Sequence, residues 1–156
     1  MHAGNQRAKP VDFLEWEVDR FNPFIYPVNP FISYGCGATV VSLVTGENPL
    51  IVTAANKYNK HYSDNFVLGA MKAKGVSVLK VTKQNISNRK NDTSYRIGSN
   101  HVVLVAQLVM KNEASWFIYF GGRQYHNYEV QDTYPTEFLS RPTLSVYLLK
   151  HENWRL

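Results

Sequence analysis

The sequence contains very little cysteine: Cys36 is the only one among 156 residues. A single cysteine cannot form an internal disulfide, and it cannot supply the several thiolates of a cysteine-based zinc site. The five histidines show no pair at the close spacing of zinc ligands, so we expect no metal and no other cofactor. The lone thiol is then either a small buried side chain or a reactive group.

Long apolar runs and runs of one charge are also missing. No stretch approaches the roughly 20 apolar residues that cross a bilayer, and the first residues lack the apolar core of a signal peptide. We therefore expect a soluble chain without membrane insertion, in an unknown compartment. The net charge is +5, but the basic residues are dispersed, with the densest group between Lys80 and Lys90. This favours a solvated surface, so single-stranded nucleic-acid binding, through stacked aromatics such as Tyr119, Tyr125 and Tyr128, ranks last among the functions considered.

Apolar and aromatic residues are plentiful, at 44% and 13% of the chain. Such a composition buries enough apolar surface to offset the entropy of the chain, which excludes a disordered protein. A chain of 156 residues suits one hydrophobic core. We expect a single α+β domain over residues 1–156, with residues 1–9 flexible.

Hydrophobic spacing and capping residues predict helices in the first half of the chain and strands in the second. The predicted helices run from Pro10 to about Phe21, from Cys36 to Gly46, from Pro49 toward Lys57 and from Ser63 to Gly75. The second is rich in β-branched residues, which also suit a strand. The predicted strands cover residues 76–81, 101–110, 115–120 and 143–149, with a turn at 111–114, a loop at 83–100 and a short helical turn at 136–140.

The candidate chemistry is that of a thiol and a base. A helix N-terminus favours a thiolate because its unsatisfied N–H groups carry partial positive charge, and Cys36 has that setting. The adjacent Gly37 N–H can approach a substrate carbonyl. His101 begins a core strand, which is a rigid mount for a base, whereas His61 and His126 lie in polar stretches. Cys36 and His101 are the predicted pair; the alternative is an inert, buried Cys36 and a solvent-facing His101.

Three segments carry a resemblance to a known family. Residues 34–44, Tyr-Gly-Cys-Gly-Ala-Thr-Val-Val-Ser-Leu-Val, look like an Asp-Cys-Gly-x-x-x-Leu-x-Met helix. Residues 63–75 look like a helix leading into a sheet, and Asn100-His101-Val-Val-Leu-Val looks like a His-Phe-Val-Val-Leu strand. Together, from residue 29 to about 149, the chain resembles the bacteriocin-processing, double-glycine-leader peptidases, a papain-like group.

The resemblance implies a papain-like fold, with N-terminal helices packed on a C-terminal antiparallel sheet. It implies that Cys36 is the nucleophile and His101 the base, oriented by an Asp or Asn after the next strand. Gly121-Gly122-Arg123 stand there instead, and the nearest polar candidate is Asn127, followed by Asp132. The family also has a Gln oxyanion donor before the cysteine, for which Asn29 is the candidate here, with the spacing shifted by one.

The implied function is that of a cysteine peptidase or amidase that cleaves a peptide or isopeptide bond in a peptide or protein substrate. The alternative is a catalytically degenerate papain-like protein, which acts as a structural or protein-binding component of a larger assembly. Its docking surface would be the aromatic-rich segment after the first predicted helix, with Phe24, Tyr26 and Phe31.

Overall fold

The structure, a computed structural model, describes residues 11–27, 34–82, 97–110, 113–126, 129–133 and 144–155. Within these ranges it has three α-helices, α1 (Gly35–Thr45), α2 (Pro49–Ala55) and α3 (Asp64–Ala73). Two 3-10 turns, Phe13–Trp16 and Glu152–Trp154, precede the first helix and follow the last strand. None of the helices in these ranges is long and apolar enough to cross a bilayer.

One antiparallel sheet of six strands follows α3. The strands are β1 (Ser77–Val81), β2 (Val102–Met110), β3 (Glu113–Phe120), β4 (Arg123–His126), β5 (Glu129–Asp132) and β6 (Leu144–Lys150). They lie side by side in the order β1-β6-β2-β3-β4-β5, and each neighbouring pair is antiparallel. The predicted α+β class, with helices before an antiparallel sheet, is confirmed.

The helix boundaries follow from the capping residues. The side chain of Asn48 accepts a hydrogen bond from a backbone N–H of the first turn of α2 (2.9 Å), and that of Ser63 does the same for α3 (3.1 Å). These bonds satisfy N–H groups that have no partner inside the helix. α1 ends at Gly46, whose φ of 77° is left-handed. The predicted helices near Cys36, Pro49 and Ser63 are confirmed, and the ambiguity over β-branched residues is resolved in favour of a helix.

The sheet separates two apolar clusters, because successive residues of a strand point to opposite sides. On β2, Val102 and Leu104 belong to the cluster that also contains the buried residues of the three helices. Val103 and Val105 belong to a second cluster, which contains Phe13. We call these sides the helix face and the back face.

The predicted helix over residues 10–21 is wrong. Only Phe13–Trp16 forms a helical turn. Beyond it, the N–H of Val18 donates to the carbonyl of Asn100 (2.8 Å), and the next two N–H groups donate to the carbonyl of Trp154 (2.9 and 3.1 Å). These distant acceptors replace the carbonyls four residues back that a helix would use.

The apolar residues of this N-terminal segment do not form one face of a helix. Phe13 is buried in the back-face cluster, whereas Phe21 is buried in the helix-face cluster. The chain therefore passes from one side of the sheet to the other between them. An extended segment makes this crossing, and one face of a single helix would not.

Four strands were predicted and are confirmed, although the turn predicted at 111–114 is shorter because Glu113 already belongs to β3. β4 and β5 were not predicted. The missed signal is Gly121-Gly122, which connects β3 to β4 with φ values of 61° and 78°. Two consecutive glycines with positive φ are typical of a two-residue hairpin turn.

Some predictions lie outside the described residues. These are the flexible start at 1–9, the helical turn at 136–140 and most of the loop at 83–100.

Candidate active site

The structure does not bring His101 to Cys36. The His101 ring contacts Phe13 on the back face, with ring centroids 5.8 Å apart. Cys36 packs on the helix face, where its Sγ accepts a hydrogen bond from the N–H of Trp116 (3.3 Å). Trp116 is paired with Ala106, five residues along the chain from His101, which is roughly 17 Å at the rise of a strand. The predicted pair is separated both by the sheet and along it.

His101 is bonded to the backbone through both ring nitrogens. Its Nε2 donates to the carbonyl of Phe13 (2.6 Å), and its Nδ1 accepts from the N–H of Gly98 (2.8 Å). A carbonyl can only accept, so the ring proton is on Nε2 and the imidazole is neutral. The residue is 2% exposed, which also rules out the solvent-facing alternative. His101 joins the N-terminal segment to the loop before β2.

Cys36 lies where the sequence predicted, at the second position of α1, and is half-buried. The residue before the helix, Tyr34, makes no side-chain capping bond to it. The first N–H groups of a helix have no acceptor within the helix and carry its partial positive charge. The Cys36 sulfur therefore lies next to a helix N-terminus whose partial positive charge is not capped by the side chain of Tyr34.

Gly37 allows a close packing contact at the start of α1. It is buried, and a Cβ at this position would lie 2.3 Å from the ring of Tyr62. Only glycine allows this close approach of the ring to the helix. Because Tyr62 covers Gly37, the predicted approach of this residue to a substrate carbonyl is not supported.

A cavity of about 500 Å³ opens beside Cys36, a volume typical of sites for small ligands or a short piece of a larger one. Three elements form it: the start of α1, the end of α2 with the loop that follows, and the start of β3. The lining residues are Tyr34, Gly35, Cys36, Thr53, Tyr58, Asn59, Lys60, His61, Glu113, Ala114 and Ser115.

A histidine and a carboxylate contact each other in the lining of this cavity. Nε2 of His61 lies 3.3 Å from Oε1 of Glu113, and the two side chains are 48% and 40% exposed. A carboxylate oxygen accepts, so this contact places the proton of a neutral ring on Nε2 and leaves Nδ1 as the nitrogen that can take a proton. The cavity thus holds a thiol, an imidazole and a carboxylate.

The charge of the Cys36 sulfur is one of the influences on the pKa of Tyr62. Burial raises the pKa of the Tyr62 hydroxyl, and the nearby charge of the Cys36 sulfur raises it further, against the opposing effect of Thr53 and Asn56. Tyr62 therefore stays neutral beside the thiol. Its ring covers Gly37.

The loop after α2 leaves the helix through a strained turn. The N–H of Tyr58 donates to the carbonyl of Thr53 (3.0 Å), and the N–H of Lys57 donates to that of Ala54 (2.9 Å), the pair of bonds that ends many helices. Glycine usually occupies the left-handed position of this motif, but here Lys57 and Tyr58 have φ values of 55° and 57°. Such conformations cost of order 1–3 kcal/mol each and are maintained only by their surroundings.

Several other predicted functional residues are not described by the structure. Asn29 and Asn127 lie outside the described residues, as does Tyr128. Tyr119 is 3% exposed in the back-face cluster, so it cannot stack on a base. Among the residues that the structure describes, no group of three His, Cys, Asp or Glu side chains is arranged to hold a metal ion.

Sequence reasoning missed His61 and Glu113. His61 lies in a polar loop and Glu113 was assigned to a turn, and the two are far apart in the chain. No local pattern connects them, because they meet only when the loop after α2 and the start of β3 flank α1. The one available signal was the cysteine at a helix start, which requires a base from elsewhere.

Comparison with known proteins adds no family to this geometry: no protein-family model, curated protein or solved structure matches the chain.

Proposed function

We propose that the protein is a cysteine peptidase or amidase of papain-like arrangement, with its active site in the cavity beside Cys36. Cys36 is the nucleophile, His61 the general base and Glu113 the residue that orients the imidazole. The observation that carries the proposal is that the cysteine at the start of α1 and the His61–Glu113 pair line one cavity. Such a nucleophile, base and orienting group are the parts of a thiol-dependent acyl transfer.

The chemistry balances with these groups alone. Nδ1 of His61 takes the thiol proton, and the sulfur attacks the carbonyl carbon of an amide. The C–N bond breaks as the imidazolium returns the proton to the departing amine, which leaves a thioester on Cys36. Water, deprotonated by the same imidazole, then attacks the thioester carbon. The C–S bond breaks, the acid product leaves, and the imidazolium returns its proton to the Cys36 sulfur.

His61 and the thiol line the same cavity but are bonded to other groups. In the structure its ring is held by Glu113, and the sulfur accepts the N–H of Trp116 instead. Catalytic hydrogen bonds are often long before substrate binds and shorten in the complex. Both His61 and Glu113 are exposed enough to adjust around a bound peptide.

The partial positive charge at the N-terminus of α1 stabilises negative charge that develops during the reaction. The tetrahedral intermediate carries an oxyanion, which is stabilised by N–H groups aimed at it. Gly35 and Cys36, the first two residues of α1, line the cavity, and the side chain of Tyr34 does not cap the helix. This assignment puts the backbone in the role for which Asn29 was predicted.

The experiment has two readouts. Rapid alkylation of Cys36 by iodoacetamide reports an activated thiol, and cleavage of a peptide library, followed by mass spectrometry, reports turnover. We expect His61→Ala to slow alkylation by at least about tenfold and to abolish cleavage, as Cys36→Ala does. His151→Ala is the matched control, since His151 lies at the other end of α1, beside Val44 and Thr45.

One observation favours the second candidate, a degenerate scaffold with a binding role. The Cys36 sulfur already accepts a backbone hydrogen bond, as a structural cysteine would. In that case alkylation is slow, His61→Ala does not change it, and no peptide is cleaved. Either pattern of results decides between the two candidates.

A further inference from the structure

The segment that joins α2 to α3 forms one wall of the Cys36 cavity. Residues 58–61 all line it, and all four are exposed. The neighbouring Tyr62 is buried against α1, but core packing does not fix residues 58–61 themselves. The position of His61 depends on whatever holds its backbone.

Two asparagine side chains hold that backbone. Nδ2 of Asn56 donates to the carbonyl of Asn59 (3.1 Å) and to the carbonyl of His61 (3.0 Å). Oδ1 of Asn59 accepts from the N–H of His61 (3.1 Å). Both backbone polar groups of His61 are thus bonded to side chains of its own loop, and Asn56 ties this loop to the last turn of α2.

We infer that Asn56 is a positioning residue for His61, and this inference rests on the proposed function. Asn56 does not line the cavity itself, so it acts through the backbone of the base. Hydrogen bonds between exposed groups contribute little to folding. The placement of a base is sensitive instead, because a small displacement of a catalytic group costs much of its effect.

The test combines Asn56→Ala, His61→Ala and the double variant, with Asn65→Ala as the control for loss of an exposed asparagine on α3. Iodoacetamide alkylation of Cys36 is measured in each. We expect Asn56→Ala to slow alkylation by about fivefold to tenfold, with the double variant no slower than His61→Ala. Asn65→Ala should match the wild type.

A second readout follows His61 directly by NMR at a fixed pH. In the wild type, Glu113→Gln should shift the ring proton resonances of His61. In an Asn56→Ala background the same change should shift them much less, since the ring no longer faces Glu113. A purely structural role of Asn56 would change unfolding and leave this coupling intact.

The two claims fail in different ways. If His61→Ala slows alkylation but Asn56→Ala does not, the positioning role is overturned and the proposed function stands. If His61→Ala has no effect, the proposed function is overturned, and the NMR coupling alone decides whether Asn56 positions the ring. Equal Glu113→Gln shifts in both backgrounds would overturn the inference.

Discussion

The two faces of the sheet hold their histidines in opposite ways. On the back face, His101 is 2% exposed and both of its ring nitrogens bond to backbone groups. At the helix-face cavity, His61 has 48% of its side chain exposed and its ring contacts the exposed side chain of Glu113. The first arrangement stabilises the fold and occupies both ring nitrogens with backbone groups. The second contributes little stability but leaves a nitrogen for chemistry.

The largest expected effect tests this difference on the back face. His101→Ala removes one buried and one part-buried hydrogen bond and the ring contact with Phe13, and leaves the Gly98 N–H without its Nδ1 acceptor. We expect a loss of about 3 kcal/mol in the free energy of unfolding, measured by urea denaturation. Under native conditions the rate of Cys36 alkylation should stay that of the wild type.

His61→Ala is the matched change at the cavity. Because an exposed ion pair contributes little, the loss in unfolding free energy should stay below about 1 kcal/mol, although alkylation slows. The proposed difference between the two histidines is contradicted if His101→Ala lowers the free energy of unfolding no more than His61→Ala does. It is also contradicted if His101→Ala slows alkylation as much as His61→Ala does.

The two histidines also show what the sequence could predict. The apolar run along residues 101–110 predicted a strand, whose side chains point alternately to the two faces of a sheet, and the strand is there as β2. Alternation fixes which residues share a face but not which face meets the helices. His101 falls with Val103 on the back face, and the choice depends on the N-terminal segment that brings Phe13 there.

That segment shows why local patterns fail. Its apolar spacing fits a helix, but its N–H groups bond to Asn100 and Trp154, acceptors that only the folded chain supplies. The helices with their own caps, α2 and α3, were predicted almost to the residue, since a cap is a contact between near neighbours. The Cys36 cavity combines both cases: the helix start was predictable, and its partners from distant elements were not.

An intermediate effect concerns a buried polar group of the helix face. The hydroxyl of Tyr147 donates to Oδ2 of Asp64 at the start of α3 (2.9 Å). Its partner is a side chain, whereas the partners of His101 are backbone groups. Tyr147→Phe should cost about 1 kcal/mol by urea denaturation below pH 10. A loss near zero would mean that this bond, unlike those of His101, adds nothing.

The same tyrosine gives a dependence on pH. Burial, then the hydrogen bond to Asp64 and its charge, raise the pKa of Tyr147 from 10.0 to about 12. The unfolded chain releases this proton near pH 10 while the folded chain retains it, so stability present below pH 10 is lost as the pH rises toward 12. Tyr147→Phe should therefore lose less stability than the wild type across that window. Parallel curves would contradict the assignment.

The smallest expected effect concerns the C-terminal ends of α2 and α3. α3 ends with Gly75 in the left-handed position, at φ 83°, and α2 ends with Lys57 there, at φ 55°. Both helices make the same pair of closing bonds. Lys57→Gly should therefore stabilise the protein by about 0.5–1 kcal/mol, because it relieves the cost of a side chain at positive φ.

Gly75→Ala is the reciprocal change. It should destabilise by about 1 kcal/mol, since the backbone conformation disfavours a side chain and the new Cβ would lie 3.1 Å from Nε2 of His151. Alkylation of Cys36 should be unchanged in Lys57→Gly, because Asn56 still holds the loop. A Lys57→Gly variant that is more stable but slower in alkylation would show that the strain at Lys57 itself, and not only the asparagine bonds, sets the position of His61.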